Sequence, residues 1–297
     1  MTASSPTSTT STTTAGPAVD AIREQVHAMW GGVAAGWAKQ TEYVAQRGAV
    51  VTEAMLAAVA LSAGEHALEL ACGTGDVGIA AARRVGSTGH VVITDVAPEM
   101  VAIAAERASD GELANVSTAV RDIEQIAEPD TAFDVVLCRD GLMFAVEPQR
   151  GANEIRRVLR SGGRAAIVVW AERSRNPWLG LVFDAVTDEL GFQVPPPGIP
   201  GPFSLGEPDR LSKLLGEAGF VDVTIAEVHV PLRAPDFDTW FNRVSMLAGP
   251  LARVIGALNP EVRTGLLDRL RRSVAPYTTA SGIELPGVAL LATATAP

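Results

Sequence analysis

Between residues 66 and 170, five short apolar runs alternate with stretches of helical spacing, and this alternation limits the possible folds more than any other feature. The runs are His66–Ala71, His90–Thr94, Val116–Val120, Phe133–Cys138 and Gly163–Trp170. Helical patterns follow three of them, at Val77–Val85, Pro98–Ala108 and Gln149–Leu159. Pro98 suits a first helical turn, where a missing N–H costs nothing. Short apolar strands separated by helices predict a mostly parallel sheet covered on both faces. Right-handed crossovers then bring the strand C-termini to one edge, where ligands bind. Chemistry is expected just after residues 71, 94, 120, 138 and 170.

The remainder arranges itself around that core, placed at 63–171. Residues 1–18 are Ser, Thr, Ala, Gly and Pro with little apolar surface to offset ordering entropy, so a disordered tail is expected. Asp20–Tyr43 predicts a helix broken at Gly31-Gly32, with a second helix at Thr52–Leu61, and 19–62 together form an N-terminal cover. A covering segment, 172–206, holds a helix at Asn176–Gly191 and the loop containing Pro195-Pro196-Pro197. The C-terminal part, 207–297, holds a helix at Glu207–Ala218, a strand at Val221–Val230, a helical lid at about 235–280 and a last strand at Val288–Thr295. Residues 19–297 read as a single domain.

Composition narrows the function classes. Hydrophobic residues make up 47% of the 297-residue chain and charged ones 20%, a globular balance. No apolar run reaches the roughly 18 residues that a membrane span needs. Acidic residues outnumber basic ones, 34 to 24, for a net charge of −10, which repels nucleic acid at long range. Arg269, Arg271 and Arg272 read as the solvated face of a helix. The two cysteines, Cys72 and Cys138, form no CxxC pair and provide no zinc site. They end neighbouring strands and are expected to stay thiols in a reducing cytoplasm.

The turn Glu69-Leu70-Ala71-Cys72-Gly73-Thr74-Gly75-Asp76 carries the ligand signal. Its glycines let the backbone turn tightly and approach a ligand, and the helix that follows directs free N–H groups at it. Gly73, Gly75 and Gly78 also satisfy G-x-G-x-x-G, which is compatible with a dinucleotide. Asp95, 20 residues after Gly75, can accept hydrogen bonds from two ribose hydroxyls. Both NAD(P) and S-adenosylmethionine (SAM) carry such a ribose, so the turn alone leaves an oxidoreductase open beside a SAM-binding protein.

Five blocks in order separate them: Leu68–Asp76, Ile93–Met100, Val120–Ile123, Phe133–Phe144 and Arg157–Arg164. Together they resemble the class I SAM-dependent methyltransferases, in the branch related to ubiquinone/menaquinone-biosynthesis enzymes. The resemblance implies a Rossmann-like α/β fold: a mostly parallel seven-stranded sheet with its last strand antiparallel, helices on both faces, and a helical insert between the last two strands. It implies SAM as cofactor. Glu69 would fix the loop toward the methionine end, with backbone near Ala71, Gly73 and Gly75 along the methionyl portion. Asp95 would hold the ribose, Val96 and Met100 the adenine, Asp122 and Ile123 the adenine edge, and Cys138 and Arg139 would close the site beside the methionine. Position 71, where the family has its first glycine, is alanine, which is compatible with an extended backbone there.

An activated sulfonium needs alignment with an acceptor more than acid–base help. A base is required only where the acceptor loses a proton. His66 and His90 open strands at the wrong edge. His27 and His229 fall within reach, and His229 is the better candidate base. No metal constellation appears. Aromatics gather in the covers and at strand ends, and Trp37, Tyr43, Phe144, Trp170, Trp178 and Trp240 are the candidate walls of an acceptor pocket. The expected reaction is methyl transfer to oxygen, carbon or nitrogen of a small hydrophobic or aromatic molecule such as a phenol, quinone or secondary metabolite, by a cytoplasmic monomer or homodimer without nucleic-acid partners. A catalytically silent SAM-binding module is the alternative from another class.

Overall fold

The apolar runs fold as β1 (His66–Leu70), β2 (His90–Asp95), β3 (Val116–Val120), β4 (Phe133–Arg139) and β5 (Leu159–Trp170), all mutually parallel. The computed structural model describes residues 17–196, 199–248 and 250–297. The tail expected at residues 1–16 and Pro197 of the proline loop lie outside them. Two later strands, β6 (Val221–His229) and β10 (Val288–Thr295), complete a seven-stranded sheet in the order β3-β2-β1-β4-β5-β10-β6. β10 runs antiparallel to both its neighbours. The central strands are buried on both faces, as their continuous apolar runs require, whereas the edge strands β3 and β6 are only partly covered.

Helices α3 (Asp76–Val85), α4 (Pro98–Asp110), α5 (Pro148–Val158), α6 (Pro177–Leu190) and α7 (Pro208–Glu217) cover the sheet. Four of these begin on proline, whose fixed φ is pre-organised for a first turn. α3 starts instead from Gly75 in the left-handed region (φ 83°), stops at Gly86, and buries a narrow face of Val77, Gly78, Ile79, Ala81, Ala82 and Val85. That small-residue face lets it lie close beneath the turn it follows.

The N-terminal cover differs from its sequence reading. α1 (Pro17–Lys39) runs unbroken through Gly31-Gly32, and the chain bends at Gln40 before α2 (Thr41–Ala58). Two of the three glycines of α1, Gly31 and Gly36, serve close approach rather than a break. A Cβ on Gly31 would stand 2.8 Å from Glu99 Oε2, and one on Gly36 would stand 2.9 Å from the backbone oxygen of Met246. The segment between the last two sheet strands holds α8 (Phe237–Leu247), α9 (Pro250–Ala257) and α10 (Pro260–Val274). It also holds a small sheet absent from the sequence reading, in which β9 (Gly282–Leu285) pairs with β7 (Leu232–Ala234) and β8 (Thr278–Thr279). These strands have two to four residues each, too few for an alternating pattern to register. Only the first part of the segment roofs the sheet edge, because α10 packs on α6. No described helix is long and apolar enough to cross a membrane.

Gly36 and Gly32 test the close approach. An exposed helical Gly→Ala change ordinarily stabilises by up to about 1 kcal/mol. Gly32→Ala, with nothing near its would-be Cβ, follows that rule. Gly36→Ala must push α1 off the α8 backbone and is expected to destabilise by roughly 1–2 kcal/mol in urea denaturation.

Candidate functional site

The C-terminal ends of β1, β2, β4 and β5 meet under α1, α2 and α8, and a cavity lies between that sheet edge and its roof. One half of it sits over the turns that follow β1 and β2. Glu69, Ala71 and Gly73 line it from the first turn, and Asp95, Val96 and Met100 from the second. Asp122 and Ile123 line it from the segment after β3. The Asp95 carboxylate ties the two turns together: Oδ2 accepts from the Gly73 N–H and Oδ1 from the Ala97 N–H, both at 2.9 Å. Burial pushes its pKa up, and these backbone donors oppose the shift.

Two expectations about the turn need correcting. The backbone at Ala71 is left-handed, at φ 52°, rather than extended. An L-residue adopts this at a cost of roughly 1–2 kcal/mol. Gly75 does not line the cavity; a Cβ there would stand 2.8 Å from Ala104 Cβ, so it is glycine for the turn and for helix packing. Cys138 is likewise absent from the walls, fully buried in β4 behind them. Its thiol is pushed up to about 12 by burial, and Cys72 is raised for the same reason, so both are buried neutral thiols and both are free.

α1 closes this half from above. Trp37, expected against the acceptor, has its ring beside Gly73, 3.5 Å from where a Cβ would stand. Trp30 packs edge-on to Phe144 at 4.9 Å, and His27 Nε2 lies 3.4 Å from Asp122 Oδ2. Arg23 latches the helix down, donating at 2.8 Å to both Glu124 and Glu147. Beneath them, Glu69 is 2% exposed, and its Oε2 has no hydrogen-bond partner. Burial pushes its pKa up to about 8 against the opposing charge of Arg139.

The other half is aromatic and cationic. Tyr43, Phe144, Trp170 and Trp178 line it as expected. Trp240 does not: it is wholly buried behind the wall, donating Nε1 to the Trp178 backbone oxygen at 3.1 Å. His229 does not either. It ends an edge strand with its side chain exposed, while the next residue, Val230, faces the cavity. A one-residue phase on a strand reverses the face, so the candidate base lies outside the site. Arg139 lines the cavity, but its donors are committed, Nη1 to Thr52 Oγ1 at 2.9 Å and Nη2 to Asp76 Oδ2 at 3.2 Å. This links β4, α2 and the first turn of α3.

Arg47 and Asp140 were not singled out from the sequence, yet with the Tyr43 hydroxyl they are polar groups left open in this half. Arg47 lies over Trp178 at 4.0 Å and Trp170 at 5.1 Å, and burial lowers its pKa. Asp140 holds a left-handed backbone (φ 58°), and its Oδ1 is buried without a partner. Burial pushes its carboxyl up to about 6 against Arg139 and Arg47. The one available signal was spacing: Arg47 follows Tyr43 by four residues and so shares its helix face. Among the described residues, no group of three or more His, Cys, Asp or Glu is placed to hold a metal ion.

The raised Glu69 value fixes a pH dependence of stability. Between the ordinary value of 4.5 and about 8 the folded chain holds a proton that the unfolded chain has released. This contribution to stability is therefore complete below the lower value and is lost as pH rises through the upper one. Glu69→Gln is expected to gain stability relative to the parent as pH rises from 5 to 9, read from urea midpoints of the ligand-free protein. A constant difference would show that Glu69 is ionised throughout.

A methyltransferase-domain family model matches residues 61–185. The ubiquinone/menaquinone biosynthesis C-methyltransferase UbiE of Hydrogenovibrio crunogenus is 34% identical over 122 residues, 41% of this chain and 48% of that protein. The arsenite methyltransferase of Halobacterium salinarum is 32% identical over 168 residues, 56% of this chain and 40% of that one. The matches thus span about half the length of these curated relatives. Among solved structures, a candidate methyltransferase from Bacillus halodurans C-125 superposes with a TM-score of 0.59 at 19% identity, covering 83% of this chain and 98% of its own. That likeness shares the fold. A methyltransferase domain thus spans residues 61–185, similar over that stretch to ubiquinone/menaquinone-biosynthesis C-methyltransferases, and its blocks at the ends of β1, β2, β3 and β4 meet at one cavity.

Proposed function

We propose that the chain transfers a methyl group from SAM, held in the first half of the cavity, to oxygen, carbon or nitrogen of a small apolar or aromatic acceptor in the second. The observation that carries this reading is one continuous cavity with the family-matched turns at one end and an aromatic, partly charged chamber at the other. Its polar inventory fits the cofactor. Glu69, a buried carboxyl, and Trp37, whose Nε1 is buried without a partner, both line the first half and provide an acceptor and a donor for a zwitterionic amino acid.

SAM supplies an electrophilic methyl on sulfur. Glu69 would take the ammonium group, ionising as it does so. Asp95 would accept from the ribose hydroxyls with its remaining lone pairs while keeping the two turns in register. Val96, Met100 and Ile123 would flank the adenine, with Asp122 at its edge. Arg139, its donors spent, positions the turn through Asp76. Gly75 and Cys138 act from behind the surface as packing. Tyr43, Phe144, Trp170 and Trp178 would hold a flat acceptor and exclude water, so that alignment supplies much of the rate. For an acceptor hydroxyl or amine that must lose a proton, Asp140 stands where His229 does not and has a free oxygen to receive it. The named relatives act on different acceptors, so the acceptor here is read from the chamber and not from them.

Calorimetry with S-adenosylhomocysteine and NADH tests the cofactor. Binding of the former alone is expected, and binding of NADH alone would mean an oxidoreductase. Asp95→Ala is expected to weaken S-adenosylhomocysteine binding by roughly 1–3 kcal/mol, the scale of lost charge-assisted hydrogen bonds. With a hydroxyl acceptor, kcat is expected to rise with pH through about 6, where Asp140 ionises. Asp140→Asn should remove that limb and lower kcat by about 10²-fold or more. An unchanged profile would mean that the reaction uses no base there.

A further inference from the structure

A guanidinium enclosed by protein needs acceptors for its edge donors, because it cannot shed its proton. Arg47 has none for two of them. Its face is satisfied by the indole rings of Trp178 and Trp170, at 4.0 and 5.1 Å. Nε and Nη2 are out of solvent and without a hydrogen-bond partner. These two N–H groups point the same way along one edge of the guanidinium, the parallel pair that a carboxylate takes with both oxygens. Asp140 attracts Arg47, yet its own Oδ1 is also unpartnered, so the two do not satisfy one another.

The other arginines of the cavity are engaged. Arg139 bonds Thr52 and Asp76, Arg121 bonds Glu128, and Arg243 donates to the Arg233 carbonyl while lying over Tyr43 at 4.1 Å. The platform under Arg47 is fixed in place. Trp178 donates Nε1 to Asn176 Oδ1 at 3.1 Å. Asn176, fully buried, bonds the Ala171 and Val288 carbonyls and the Val288 N–H, each at 3.0 Å. A ligand group at Arg47 would therefore meet a pre-set fork over aromatic walls.

We infer that Arg47 is the receptor for a carboxylate on the acceptor, so that the molecules methylated here are small aromatic or apolar acids rather than neutral ones. The inference rests on the second half of the cavity being the acceptor site. A planar carboxylate would lie against the Nε–Nη2 edge, with the apolar body of the molecule between Tyr43, Phe144 and the tryptophans. Because the charge is borne by the substrate, the same chamber without one leaves the Nε and Nη2 donors of Arg47 unpartnered, and neutral isosteres leave them so.

Binding of matched probes to the protein saturated with S-adenosylhomocysteine tests this. The pairs are benzoate with benzamide, 4-hydroxybenzoate with its amide and 2-naphthoate with its amide, followed by the fluorescence of the tryptophans that flank Arg47 and by calorimetry. The wild type is expected to prefer the acid by roughly 10–100-fold. Arg47→Met should bring the ratio close to one, and Arg47→Lys, which keeps the charge and loses the fork, should fall between. S-adenosylhomocysteine affinity should stay within about twofold in both. Should Arg47→Met fail to fold, Arg47→Lys and Arg47→Gln read the same ratio. Equal affinity for acid and amide, no binding of either at millimolar concentration, a preference that survives Arg47→Met, or one lost on Arg243→Met instead would each overturn the assignment. If the wild type does not bind S-adenosylhomocysteine at all, the cofactor reading falls, and the acid-to-amide ratio of the ligand-free protein still decides whether Arg47 receives a carboxylate.

Discussion

A parallel sheet buried on both faces leaves its chain only one place for polar chemistry, the ends of the strands. The interior stretches of β1, β4, β5 and β10 are closed above and below, and their buried side chains are mostly apolar. The charged groups that do enter the centre come in at the C-terminal edge: Glu69 near the end of β1, Asp95 at the end of β2, Arg139 and Asp140 at the end of β4. Once α1, α2 and α8 lie over that edge, these groups lose water without gaining full sets of partners. The raised carboxyls of Glu69 and Asp140 and the open donors of Arg47 are thus one effect seen three times. The fold creates an enclosed polar debt that a bound zwitterion and an acid would settle.

The strands and the cofactor end were legible because their signals are local. An apolar run of five to seven residues followed by a Gly-rich turn is decided within one window, and Asp95 announces itself by distance from that turn. Side-chain contacts made over long range were not legible. Gly31-Gly32 reads as a helix break until Gly31 is known to lie against Glu99. Arg47 falls between the two helices read from the sequence, and nothing marks it until α2 runs through it and sets it over Trp170 and Trp178. His229 shows a further limit, since strand phase on a half-covered edge strand is weakly marked and decides everything about which way a side chain faces. Ala71 shows another: nothing in the residue type reveals a left-handed backbone, and only its neighbour Gly141, whose would-be Cβ falls against Ala71 Cβ and 2.8 Å from Cys138 Sγ, reveals the crowding that results.

Matched and unmatched chain both contribute walls to the cavity. Residues 61–185 supply the turns around Glu69, Asp95 and Asp122, and also Trp170 and Trp178. Tyr43, Arg47 and Arg243 come from α2 and α8, outside the matched stretch. On the proposed reading, the matched part would supply most of the cofactor's contacts, and the roof would add Tyr43, Arg47 and Arg243 on the acceptor's side. That is the arrangement expected where one sheet edge serves many reactions by exchange of its covers.

The two parts are nevertheless not free to vary independently, and Arg139 is the reason. From the end of β4 it donates to Thr52 on α2 and pairs with Asp76 at the start of α3, while Arg107 holds the other oxygen of Asp76 at 2.7 Å. Gly48, one residue past Arg47 on the same helix, has no Cβ, and one would fall on the Arg139 guanidinium. The helix that carries the acceptor's candidate receptor is therefore bonded, through one buried arginine, to the turn that carries the cofactor's. A shift of α2 to suit a different acceptor strains the Asp76–Arg139 pair, and removing Asp76 would leave the buried Arg139 without its carboxylate partner, at about 3–5 kcal/mol. Roof and turn are thus tied to each other through Arg139.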